Sequence, residues 1–166
     1  MNTSQLQAAL LSDPEIARLS LGVHPADKIP TGKEGCMIVN EDDSTKSGSH
    51  WIALFILPGR KVDYFDSYGR AKVVPALAKF LEPFHVTRSK VRVQNNLSTC
   101  CGQHCLFWLW LRCRDFTFAE AMACYSGNQS DNDAQAVEFV ADRFGIAMEP
   151  VNTEFLWEQF SKALML

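Results

Sequence analysis

This chain is predicted to fold as an α+β domain, a small, mainly antiparallel sheet packed with helices. Three stretches carry the prediction. Residues 51–57, "WIALFIL", are apolar on both faces of a period-2 pattern, as a central covered strand requires. "PGRK" then turns the chain into "VDYFD" at 62–66, the returning arm of a hairpin. Residues 101–114 form the clearest helix: Leu106, Leu109 and Trp110 share a face while Phe107, Trp108 and Leu111 surround the rest. Nearly all of that helix is expected to be buried.

The other elements follow in chain order. Residues 3–20 read as two helical pieces; Thr3 or Ser4 can cap the first, and Asp13 with Pro14 suits the cap and first position of the second. "LGVHPADKIPTGKEG", rich in proline and glycine, reads as a loop. "CMIVN" at 36–40 is a strand, and "EDDSTKSGS" at 41–49 a solvated connection. Residues 73–84 read as a helix with Pro75 in its first turn, and 86–94 as an exposed alternating strand. Thr99 or Ser98 can cap the 101–114 helix. A further helix is expected over 116–126, then a loop "GNQSDND", a helix over 134–145 ending at Gly145, and an amphipathic helix over 153–164. With no repeat or linker, residues 1–166 are expected to be one monomeric domain.

Composition narrows the function classes. The chain has 166 residues, 47% hydrophobic and 21% charged, enough to bury roughly two-thirds of its unfolded surface. A net charge of −3 argues against a basic field for tight nucleic-acid binding. Arg88, Lys90 and Arg92 make only a small basic strand, read as solvated. The opening "MNTSQLQAALLSDPE" lacks the basic and apolar regions of a signal peptide, and no apolar run approaches the roughly 18 residues that span a bilayer. An intracellular protein without membrane contact is expected. Its six cysteines then read as free thiols. Cys100, Cys101, His104 and Cys105 cluster, but without a second ligand pair at zinc spacing, so no metal and no cofactor are expected.

The chemistry gathers around "VQNNLSTCCGQHCLFWLW". A cysteine at a helix N-terminus feels unpaired N–H groups and the positive end of the helix dipole, which favour thiolate. Two thiols compete for that position, Cys100 and Cys101. His50 precedes the central strand and Asp66 ends its hairpin partner, so both should reach the same open end of the sheet. A carboxylate there can orient the imidazole and stabilise its charged form. Gln94, seven residues before Cys101, can aim an N–H at a developing oxyanion beside the backbone N–H of Cys101. Gly102 would let a substrate backbone approach. Trp51 either walls a substrate groove or packs in the core. Each residue alone has an ordinary explanation: a strand edge for His50, a turn cap for Asp66, a loop amide for Gln94. Together they make a nucleophile, base, orienter and oxyanion donor.

"GSHW", "YFDSYG" and "VQNNLSTCCGQHC" resemble the adenovirus proteinase (adenain) family, within the larger group that includes the ubiquitin-like-protein proteases. The similarity runs from about residue 36 to Cys105. The resemblance implies a papain-like, adenain-like architecture with catalytic His50, Asp66 and Cys101. It implies an oxyanion hole of Gln94 and the Cys101 N–H. Gly102 and Trp51 would lie along a narrow substrate groove. It also chooses between the thiols: a glutamine-to-cysteine gap of seven and a following glycine match the viral branch and select Cys101. By the same resemblance the substrates are viral structural precursors cut after glycine, in Gly-Gly or Gly-X, in a host nucleus, cytoplasm or virion. An activating peptide or DNA belongs to that family, but no cysteine lies between residues 37 and 99 to carry a disulfide-linked peptide, and the charge is wrong for DNA. Removal of ubiquitin-like modifiers, acetyl transfer on the same triad, and a catalytically silent scaffold are the alternatives.

Overall fold

A computed structural model describes residues 1–147. The expected helix over 153–164 lies outside the described residues. In chain order the elements are α1 (Thr3–Ser12), α2 (Pro14–Leu19), β1 (Ser20–Pro25), β2 (Gly35–Asn40), β3 (Trp51–Leu57), β4 (Lys61–Phe65), α3 (Pro75–Leu81), β5 (His85–Arg88), α4 (Cys101–Arg112), α5 (Phe118–Ala123) and α6 (Gln129–Phe144). The class is α+β, as expected. One five-stranded sheet runs β1-β2-β3-β4-β5, antiparallel across β2, β3 and β4 and parallel at both edges.

Alternation along the strands splits the core in two. Cys36 and Ile38 of β2, Ala53 of β3 and Phe65 of β4 face α1 and α4. Met37 and Val39, Ile52, Leu54 and Ile56, and Val62 and Tyr64 face the other way, against Leu77 and Leu81 of α3. Strand β3 is therefore central and covered on both faces. α4 lies against it with all but one of its residues buried, Trp110 being the exception. Trp108, fully buried and stacked on Phe65 at 5.2 Å, pins the helix to the sheet.

Several boundaries differ from expectation. Residues 20–25 form an edge strand, not a loop, because β1 pairs in parallel with β2 across a turn rich in proline and glycine. β5 stops at Arg88: beyond it Val93 N–H and Gln94 N–H donate to the Ser67 carbonyl, fastening the segment to the turn after β4. α1 is capped by Asn2, not by Thr3 or Ser4: its side chain accepts from Gln5 N–H, and its backbone N–H donates to the Gln5 side chain. α6 starts at Gln129 because the Asn128 side chain accepts from Ser130 and Asp131 N–H groups. Asp13 and Pro14 do begin α2, and Gly145 ends α6 in the left-handed conformation.

Candidate active site

The hairpin brings its two open ends together. Ala53 of β3 pairs with Phe65 of β4, so His50 and Asp66 leave the sheet side by side. The His50 carbonyl accepts from Glu41 N–H at 3.0 Å, which fixes its backbone to the end of β2. His50 Nε2 lies 2.8 Å from Asp66 Oδ1. Cys101 lies on the same cleft as the imidazole, near enough for each to shift the other's titration. Tyr68 stacks on the imidazole, centroids 4.9 Å apart.

Asp66 is buried and multiply held. Its Oδ1 also accepts from Tyr68 N–H at 2.9 Å, and its Oδ2 from Arg70 Nε–H at 2.9 Å. Arg70 in turn pairs with Glu41 at 2.7 Å. The turn needs Gly69: its φ is +60°, and a Cβ there would meet the Val91 backbone at 2.7 Å. Asp63 stands apart from this group, bonded to Arg112 Nε at 3.1 Å.

Burial opposes charge on all three side chains, and their contacts overcome it. It pulls His50 down, but the bond to Asp66 and the neighbouring Cys101 outweigh it and push the imidazole up to about 9. It raises Cys101, yet His50 and the Trp51 backbone N–H hold the thiol below its ordinary value. It raises Asp66 too, but His50, Tyr68 N–H and Arg70 keep the carboxyl low. The pair leans toward imidazolium and thiolate. Cys101 sits at N1 of α4, whose N-cap, Cys100, supplies no side-chain hydrogen bond; the capping expected from Thr99 or Ser98 does not occur. The first-turn N–H groups of α4 are thereby left without a side-chain cap beside the sulfur.

Cys100 is different. It is buried, and its thiol is pushed up to about 12 by that burial and by Asp133, against an opposing contact from Ser98. Cys105 is wholly buried and also raised, by burial first.

A cleft of about 350 Å³ opens over Cys101, lined among others by His50, Trp51, Tyr68, Ser98 and Met1. Trp51 is half-buried on its wall, its Nε1–H donating to the Met1 carbonyl at 3.1 Å. Gly102 lies behind the cleft: a Cβ there would come within 3.3 Å of Met1 and Leu6 side chains. The room it leaves is taken up by those side chains, with Trp51 next nearest at 3.5 Å. Gln94 is fully buried. Its Oε1 accepts from Ser67 Oγ at 2.6 Å, and its Nε2 donates to the Ser98 carbonyl at 3.0 Å. It is neither a solvated amide nor, in this conformation, aimed into the cleft.

The sequence did not single out Ser67, Tyr68 or Arg70, and it offered Ser98 only as a helix cap. The first three follow Asp66 within four residues, and the short polar tract before the cysteines contains the fourth; proximity to Asp66 and Gln94 was the available signal.

No family model matches the chain. It is similar to the SUMO-1 cysteine protease of African swine fever virus, 29% identical over 106 residues, which covers 55% of this chain and 38% of the relative. This chain thus spans well under half the length of that protein. No helix among the described residues is long and apolar enough to cross a membrane.

Proposed function

We propose that the chain is a cysteine protease domain with Cys101 as nucleophile, His50 as its base and acid, and Asp66 as the orienter. The observation that carries this reading is one buried imidazole, bonded to Asp66 at 2.8 Å, that shares a cleft with Cys101 and holds its thiol below the ordinary value. The Cys101 thiolate attacks the peptide carbonyl, and protonated His50 delivers its proton to the leaving amine. Water, deprotonated by His50, then hydrolyses the thioester and frees the sulfur. The Cys101 N–H, at the uncapped start of α4, stabilises the oxyanion. Gln94 Nε2 adds a second donor once the Ser98 carbonyl moves off it.

The substrate class we assign is a protein cut after glycine, of the kind found in viral structural precursors, with Trp51 walling the groove and no cofactor taking part. Neither peptide nor DNA activation is part of this reading. The name of the viral relative favours a second reading, removal of a ubiquitin-like modifier, whose tail also ends in Gly-Gly. A glycyl vinyl-sulfone peptide and a full-length SUMO vinyl sulfone distinguish them. The first reading expects the short probe to label Cys101 efficiently. Labelling by the SUMO probe alone would favour the second, and labelling by neither on folded protein would sink both.

A further inference from the structure

Cys100, His104 and Asp133 form a cluster that the chemistry above leaves unused. The Cys100 Sγ, one His104 ring nitrogen and an Asp133 carboxylate oxygen all lie within 4.8 Å of one another. His104 Nε2 is 2.8 Å from Asp133 Oδ1. The ring is fully buried, its Nδ1 has no hydrogen-bond partner among the described residues, and Tyr125 packs against it at 5.6 Å. Asp133 is held from behind by Asn95 N–H, 3.2 Å from Oδ2, the kind of outer contact that orients a metal-binding carboxylate.

We propose that Cys100 Sγ, His104 Nε2 and Asp133 Oδ1 form a Zn2+ site that ties the start of α4 to α6. The donor set of one sulfur, one imidazole nitrogen and one carboxylate oxygen suits zinc and disfavours Ca2+ or Mg2+, which take oxygen ligands. Zinc bonds of about 2.0–2.3 Å at tetrahedral angles separate ligand atoms by about 3.3–3.8 Å. The Nε2–Oδ1 pair, at 2.8 Å, therefore opens by less than about an ångström, and the thiol, within 4.8 Å of its partners, closes by at most about 1.5 Å. On binding, the Cys100 thiol proton leaves to solvent and the imidazole proton moves from Nε2 to Nδ1, so one proton is released per ion. Water completes the fourth position, with Ser98 Oγ, 3.2 Å from Cys100 Sγ, placed to receive its hydrogen bond.

The sequence concealed this site because its third ligand is an aspartate on another helix, not a second cysteine or histidine pair. Cys101 turns instead to His50, and Cys105 is absent from the cluster. The site goes beyond the protease reading and does not depend on it.

Cobalt titration of the full chain carrying Cys101→Ser tests it, because that variant removes metal binding at the Cys101–His50 pair. One Co2+ per chain is expected, with a thiolate-to-cobalt charge-transfer band and tetrahedral d–d bands, and Zn2+ should displace it and raise the melting temperature. Adding Cys100→Ser should abolish the charge-transfer band. Asp133→Asn, which keeps an acceptor for Asn95 N–H, should weaken binding at least about tenfold, with folding of each variant checked by circular dichroism. No thiolate band in Cys101→Ser would overturn the proposal. So would a band that survives the added Cys100→Ser, or one seen in the unmodified chain and lost with Cys101→Ser.

Discussion

Two cysteines adjacent in sequence each meet a histidine–aspartate pair, and the two groups differ in character. His50 and Asp66 stand 2.8 Å apart, as do His104 and Asp133. In the first group the carboxylate fixes the imidazole through Nε2 and favours its charged form, which in turn favours thiolate on Cys101. His50 rises to about 9 and Cys101 falls below its ordinary value. In the second group Cys100 feels the carboxylate instead. Burial and Asp133 push its thiol up to about 12, while burial outweighs Asp133 and lowers His104. The same three residue types lower the thiol in one place and raise it in the other. What differs is the charge beside the sulfur, a raised imidazole for Cys101 and a carboxylate for Cys100.

The largest expected effect breaks the first group outright. Cys101→Ser or His50→Ala should lower kcat/KM by at least about 10⁴-fold, measured on a Gly-Gly peptide, whereas Cys100→Ser should change it by less than about tenfold. Equal losses from Cys100→Ser and Cys101→Ser would erase the contrast. Asp66→Ala should be about two orders of magnitude milder than His50→Ala, because the base survives without its orienter. Gln94→Ala should cost about 10²–10³-fold in kcat with little change in KM.

A pH–rate profile sharpens the same contrast. Activity should rise as Cys101 ionises, below the ordinary thiol range, and fall as His50 loses its proton near 9. Neither limb should move in Cys100→Ser or His104→Asn. The smallest effect on turnover belongs to His104→Asn, which should leave the profile intact while lowering unfolding stability by about 1–3 kcal/mol in chemical denaturation, the cost of a disrupted buried hydrogen bond.

What the sequence disclosed followed from locality. A hairpin with a short turn forces its ends together, so His50 and Asp66 met as expected. A nearly all-apolar helix had to be buried, so α4 put Cys101 where the hairpin opens. What it concealed was long-range. β1 is held by a parallel neighbour, and its glycine and proline content read as loop. The polar tract before α6 read as loop because Asn128, Asn132 and Asp133 look solvated in isolation. Asn128 caps the helix, while Asn132 Nδ2–H reaches the Val93 carbonyl at 3.1 Å and Asp133 reaches His104. Gln94 was expected to face substrate, and only three-dimensional packing reveals that Ser98 holds its amide.

The most direct measurement is site-resolved alkylation of the two adjacent thiols across pH, read by fragment-ion mass spectrometry after brief iodoacetamide exposure. Cys101 should react at neutral pH, with the reaction slowed strongly in His50→Ala, while Cys100 stays unmodified until the protein unfolds. Preferential labelling of Cys100, or Cys101 labelling indifferent to the loss of His50, would contradict the account.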